Sequence, residues 1–222
     1  MYKFVCLLLM LCTATFALYS QENELPVRYF ASTTDFLENK LHEEEATAIV
    51  LERGEKYLRI KNILNAATKT KSRTGNWAWA VVTNNDTLIN MQFTIEISAP
   101  GFYMKPDVFG HYTLFILDKE TFLAYERART NTSMALGDLA IHDSASWGGN
   151  WPTANNEKRK IIFLNRDRPT LAAAGKCKNS RGYLLTKSLL ADIFFKNKID
   201  KNLEDITVEE LVEIMTMLNA QY

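Results

Sequence analysis

The period of the hydrophobic pattern changes once along this chain, and that change limits the folds open to it. Up to about residue 165 the apolar residues fall in short runs separated by turn residues, whereas beyond Leu185 they recur at helical spacing. Residues 87–95 are the clearest run, with Ile89, Met91, Phe93 and Ile95 alternating with Asn90, Gln92 and Thr94. A period of two with one polar side predicts a half-buried antiparallel strand. Asn84-Asn85-Asp86 turns the chain between this run and residues 77–83, in which Trp77 and Trp79 share one face and Ala78 and Ala80 the other. Residues 46–51 and 57–63 flank Arg53-Gly54-Glu55, and residues 112–117 and 122–125 flank Asp118-Lys119-Glu120-Thr121, which predicts two more hairpins. Residues 160–165 form the last predicted strand.

A short helix is predicted over residues 34–41, with Thr33 or Thr34 as its cap. Near the end, Leu185, Leu189, Leu190, Ile193 and Phe194 follow the cap residue Thr186, and Val208, Leu211, Val212, Met215 and Leu218 follow Thr207. Thr207-Val208-Glu209-Glu210 has the form of a capping box. Strands early and helices late predict an α+β fold: an antiparallel β-sheet built of successive hairpins with two C-terminal helices packed on it.

Residues 1–20 have the layout of a secretory signal peptide, with Lys3, an apolar run over residues 4–11, and small or polar residues before Gln21. The run is shorter than the roughly 20 residues a spanning helix needs. Cleavage after Ser20 is favoured over cleavage after Ala17; lipidation at Cys12 is a third route, opposed by Leu11 in the preceding position. The expected organisation is a signal peptide over 1–20 and a single α+β domain over 21–222, exported to the periplasm or cell envelope or secreted, with no transmembrane span after cleavage. Loss of Lys3 leaves 25 basic against 26 acidic side chains, a balance that gives no general attraction to nucleic acid. Glu43-Glu44-Glu45 and Lys158-Arg159-Lys160 are read as solvated turns and strand edges. Cys6 and Cys12 leave with the leader, so Cys177 remains alone and no intrachain disulfide is expected.

Chemistry-bearing patterns are sparse. His142-Asp143-Ser144-Ala145-Ser146 gathers an imidazole, a carboxylate and two hydroxyls, but catalytic triads converge from separate elements, and no Gly-x-Ser-x-Gly elbow is present. His42, His111 and His142 lack metal-ligand spacing, and no EF-hand, Walker or dinucleotide loop occurs, so neither a metal nor a cofactor is expected. Asn85-Asp86-Thr87 and Asn131-Thr132-Ser133 match the N-glycosylation triplet. Trp147 and Trp151 bracket Gly148-Gly149-Asn150 in a loop-rich stretch. Exposed rings there would stack on a sugar or a partner surface; the alternative is two plugs folded inward over the sheet edge. The reading is a non-enzymatic binding or interaction domain for an envelope protein or glycan, with Trp147, Trp151 and His142 as contacts. Two alternatives stand beside it. One is a hydrolase of an envelope polysaccharide or peptide working through His142 and assembled carboxylates, and the other is a structural subunit using Ile214 and Met217 of the terminal helix.

The leader ending Tyr19-Ser20-Gln21, the Thr34-Asp35-Phe36-Leu37 segment, the Trp77-Ala78-Trp79-Ala80-Val81-Val82 run, and Asn85-Asp86-Thr87-Leu88-Ile89-Asn90 stand in order before a Gly-containing loop and two terminal helices. That order resembles a family of uncharacterised exported proteins of Bacteroidota. The resemblance implies an envelope location and supplies no catalytic residues. It also implies that Asp86-Thr87-Leu88 and Asp143-Ser144-Ala145 are similar to the acid-hydroxyl-apolar triplets that such bacteria O-glycosylate.

Overall fold

Strand-forming runs in the first half of the chain close on one another instead of spreading into an open sheet. The structure, a computed structural model, describes residues 23–72, 75, 78–84, 86–93, 99, 101–129, 150–169 and 180–222. Six antiparallel strands, β1 (Asn23–Phe30), β2 (Ala46–Arg53), β3 (Tyr57–Asn65), β4 (Ala80–Val82), β5 (Thr87–Asn90) and β6 (Phe102–Met104), form a closed barrel in the order β1-β2-β3-β6-β5-β4. The first four have the Greek-key order, with β4 returning beside β1.

Two details allow closure. β1 pairs with β2 over its first half, from Asn23 to Val27, and with β4 over Arg28 to Phe30, so Pro26 sits where the strand has one neighbour and its missing N–H breaks no ladder. In the β2–β3 hairpin the register slips twice. Asn62 faces Ile49 while Ile60 faces Val50, leaving Lys61 extra, and Glu52 faces Arg59, leaving Leu51 extra. Such bulges bend and twist a strand pair towards closure. They also turn both Ile60 and Ile63 inwards and leave Leu51 53% exposed. The interior is filled by Val27, Tyr29, Ala48, Val50, Leu58, Ile60, Ile63, Val81, Leu88 and Tyr103, small alanines lying among the large rings. Across the barrel, Asn90 Nδ2 donates to the Ala78 carbonyl at 3.0 Å and the Tyr103 hydroxyl approaches the same oxygen at 3.4 Å. Complete burial raises the Tyr103 pKa.

The second sheet has the order β10-β9-β7, made of β7 (Tyr112–Leu117), β9 (Lys158–Pro169) and β10 (Ser180–Leu184), with the two-residue β8 (Trp151–Pro152) on the start of β9. It is covered on both sides, which is why Tyr-Thr-Leu-Phe-Ile-Leu and Ile-Ile-Phe-Leu read as nearly continuous apolar runs. Phe115, Leu117, Ile162 and Leu164 meet the outer barrel residues Tyr57, Ile89, Phe102 and Met104. Tyr112, Leu114, Ile161 and Phe163 face the other way. That side is covered by the two C-terminal helices, for which the labels α3 (Lys187–Lys196) and α4 (Val208–Asn219) are used; α1 (Thr33–Leu37) and α2 (Lys119–Arg129) precede them.

The predicted mixture of helices with antiparallel strands is what the chain adopts, but the single sheet of successive hairpins is corrected to a barrel plus a second sheet, and only two of these helices are C-terminal. The predicted strand over 122–125 is part of α2. Asp118 Oδ1 accepts the Thr121 N–H at 2.7 Å, starting a helix whose Phe122, Tyr125 and Ala128 share one face at three-residue spacing. Of the predicted strand 87–95, residues 87–90 are strand and Met91–Phe93 is a 3-10 turn, while residues 94 and 95 lie outside the described residues; Asn90 is buried because both sides of the barrel wall are covered. Of the run 77–83 only Ala80–Val82 is strand; Trp79 and Ala80 join the same cluster, so the face alternation stops between them, and Trp77 lies outside the described residues. The first helix ends at Leu37 and is capped by Ser32. Thr186 caps α3, and Thr207 with Glu210 forms the complete capping box on α4.

Candidate functional site

The chain between β1 and β2 folds into a groove on the outside of the barrel. Ser32 Oγ accepts the Asp35 N–H at 3.1 Å and its hydroxyl donates to Asp35 Oδ2 at 2.7 Å, which fixes the start of α1. After the helix, Asn39 takes a positive φ of 53° and turns the chain back, and the His42 N–H donates to the Tyr29 carbonyl at 2.9 Å. The His42 ring then stacks on the Tyr29 ring, with centroids 4.5 Å apart and planes 18° from parallel. The Glu44 N–H points at His42 Nδ1 at 3.4 Å, so Nδ1 is the acceptor and the ring proton is assigned to Nε2. Burial raises the Tyr29 pKa; its contact with Ser72 Oγ at 3.1 Å opposes that rise and the Glu44 carboxylate adds to it.

The resulting depression has a volume of about 450 Å³, with Ala31 and Leu41 as apolar lining and Asp35, Glu43 and Glu44 as acidic lining. Lys40, also in the lining, pairs with Glu38 at 2.5 Å, and its charge reaches Asp35 as well. Beside the groove, Phe109 stands edge-on to Phe36 at 5.2 Å and is 44% exposed, and Leu37 is 55% exposed. The arrangement offers an acidic hollow in which His42 is the one aromatic ring of the lining, backed by the buried Tyr29. The imidazole takes a backbone amide and the buried Tyr29 phenol behind it meets Ser72, so among the described residues the groove pairs no hydroxyl with its imidazole as a nucleophilic mechanism would.

A second charged group lies on the seam between the barrel and α2. Glu52 Oε1 accepts from the Tyr57 hydroxyl at 2.8 Å and from Arg127 at 2.9 Å, and Arg59 lies 3.9 Å from Oε2. Burial alone would raise the Glu52 pKa, but hydrogen bonds from Tyr57 and Arg127 and the charges of Arg127 and Arg59 outweigh it and hold the carboxyl low. Burial, then the bond to Glu52, pushes Tyr57 up to about 12. Glu52 contributes stability that is present above the ordinary carboxylate pKa of about 4.3 and lost as pH falls through its lowered value. Tyr57 contributes stability present below 10.0 and lost as pH rises towards about 12. Glu52→Gln is therefore expected to cost about 1–2 kcal/mol at neutral pH, with the gap to wild type closing as pH falls below about 4. Urea titrations across pH measure this; a gap independent of pH would show that the ionised carboxylate is not the stabilising form.

Of the residues expected to contact a ligand, Trp147, Trp151 and His142, Trp151 alone lies among the described residues. Trp151 is 1% exposed and its indole N–H donates to the Leu185 carbonyl at 3.1 Å, so its ring lies in the core under α3 and α4 and offers no face to a ligand. Trp147, His142 and Cys177 lie outside the described residues, as do residues 1–22. Ile214 packs against the helix-side core while Met217 is 54% exposed. Among the described residues no group of three or more His, Cys, Asp or Glu side chains converges as metal ligands, and no helix is long and apolar enough to cross a membrane. The groove escaped sequence reasoning because its acidic run looks like any solvated turn; the one local signal was the Ser32 and Asp35 pair that shapes its edge. Comparison of the chain with protein-family models, with curated proteins and with solved structures gives no match.

Proposed function

We propose that this is an exported, envelope-located interaction domain that binds a cationic segment of a partner in the groove between β1 and β2, without catalysing a reaction. The observation that carries this reading is the packing of the barrel. Its interior is occupied by its own side chains, Tyr29 and Tyr103 being no more than 1% exposed, so ligand chemistry falls to the outer surface. On that surface the groove supplies three carboxylates, Asp35, Glu43 and Glu44, beside the apolar Ala31 and Leu41, complementary to a lysine or arginine whose alkyl stem lies against Leu41. Export rests on the leader over residues 1–20, and the likeness to exported Bacteroidota proteins agrees with it.

The test uses fluorescence anisotropy with three probes: a lysine- and arginine-rich peptide, an acidic peptide of equal length, and a neutral oligosaccharide. The cationic peptide is expected to bind, more weakly as salt rises, and Glu43→Gln with Glu44→Gln to weaken it by about 3- to 10-fold. Trp147→Ala and His142→Ala are run in the same assay, because those positions were expected contacts. Preference for the oligosaccharide, lost in Trp147→Ala, would move the site away from the groove. Equal binding of both peptides would remove charge complementarity as its basis.

A further inference from the structure

Phe109 stands at the surface on a main chain that is pinned on both sides. Before it, the buried Val108 exchanges two backbone hydrogen bonds with Leu114, at 2.9 and 3.3 Å. After it, the Gly110 carbonyl accepts the Thr113 hydroxyl at 3.0 Å, and a Cβ on Gly110 would lie 2.4 Å from Asn219 Cγ. The space on the core side is filled as well. Phe36, edge-on to Phe109 at 5.2 Å, has Phe30 and Trp79 each at 5.1 Å, and both of those rings are buried. Phe109 is therefore held outward, 44% exposed, by a framework that needs no ordering when something binds.

This apolar surface continues the acidic groove. Asp35 lines the groove, and the next two residues of α1 are Phe36 and Leu37, the latter 55% exposed. Leu41, in the lining, packs on the same core cluster as Phe36. The lining holds three acids, Asp35, Glu43 and Glu44, against one base, Lys40. Ser32 bonds to Asp35 and Asn65 to Glu44, whereas Glu43 is exposed and among the described residues has no hydrogen bond or ion pair. Neighbouring Cα atoms are about 3.8 Å apart and a further ring contact leads to Phe109, so the span from Asp35 to Phe109 is on the order of 10 Å, which about three residues of extended chain cover.

Charge decides what fits such a surface. An exposed ring among basic residues suits anionic lipid, but carboxylates repel lipid phosphates and attract a cationic chain. Resting on the groove reading above, we propose that the partner segment is bipartite: a lysine or arginine enters the groove, and a large apolar side chain about three residues away seats against Phe109 and Leu37. The carboxylates fix its register, and the desolvated apolar contact supplies most of its affinity.

The test compares two labelled peptides of equal length and charge by fluorescence anisotropy, one with phenylalanine three residues from its lysines and one with serine there. The phenylalanine peptide is expected to bind wild-type protein about tenfold more tightly. Leu37→Ser combined with Phe109→Ser is expected to erase the difference between the peptides, and Glu43→Gln with Glu44→Gln to weaken both alike. Equal affinity of the two peptides for wild type would overturn the bipartite site and leave the groove reading standing; binding of neither would overturn both. That comparison needs no variant to fold. Persistence of the difference in the Leu37→Ser, Phe109→Ser protein would also overturn the inference, as would binding to phosphatidylglycerol vesicles that this variant loses, which would make lipid the occupant.

Discussion

Trp151→Ala is expected to lower the free energy of unfolding by about 3–5 kcal/mol, read from urea denaturation followed by far-ultraviolet circular dichroism. Trp151 is the largest of the fully buried side chains among the described residues, and it stands in a strand of only two residues held to β9 at Arg159 and Lys158. Around it are the helix-side core residues, including Leu185 and Leu190, which cannot refill an indole-sized space without moving α3. The Leu185 carbonyl also loses its indole donor. Trp151→Phe separates the two effects, because most of the volume stays while the N–H goes; its expected cost is about 1–2 kcal/mol. A surface contact residue would behave in the opposite way, with binding lost and stability kept. A loss below about 1 kcal/mol on Trp151→Ala would place the ring outside the core.

What could be read from the sequence is what is local. The caps at Thr186 and Thr207 and the hairpin around Gly54 depend on residues within a few positions of one another, and the structure has them. The barrel was not legible, because closure depends on Lys61 and Leu51 standing out of register and on β1, whose Pro26 argues against a strand unless one knows that its pairing changes partner after Val27. Residues 122–125 were ambiguous for a different reason. A four-residue apolar run fits either period, and the Asp118 side chain decides for helix through one hydrogen bond. The groove joins His42 to Tyr29, Glu44 to Asn65 and Tyr29 to Ser72, pairs that meet only after the barrel has formed. Trp151 follows the inward one of the two readings its sequence allowed: beside glycines in a loop-rich stretch it could stack outward or fold in, and β9 with the helices makes it core.

Gly101→Ala should destabilise the protein by about 3 kcal/mol, adding the left-handed backbone cost of about 1–2 kcal/mol to a clash. Gly101 has φ +72°, and a Cβ on it would lie 2.4 Å from the Ile60 carbonyl oxygen, a backbone atom that no rotamer change can move. The same peptide is tied in place, because the Gly101 carbonyl accepts the Ile60 N–H at 2.7 Å. Ile60 adjoins the Lys61 bulge, and the residue after Gly101 opens β6, which pairs with β3 to complete the barrel wall. Relief of the clash would therefore have to come from the β3–β6 seam. Gly101→Asn distinguishes the two components. Asparagine tolerates positive φ but still carries a Cβ, so if φ were the whole difficulty this variant would be close to wild type in thermal and urea unfolding. The contact with Ile60 predicts that most of the alanine variant's loss persists in the asparagine variant. Recovery to within about 0.5 kcal/mol of wild type would show that the β3–β6 seam yields where the geometry says it is fixed.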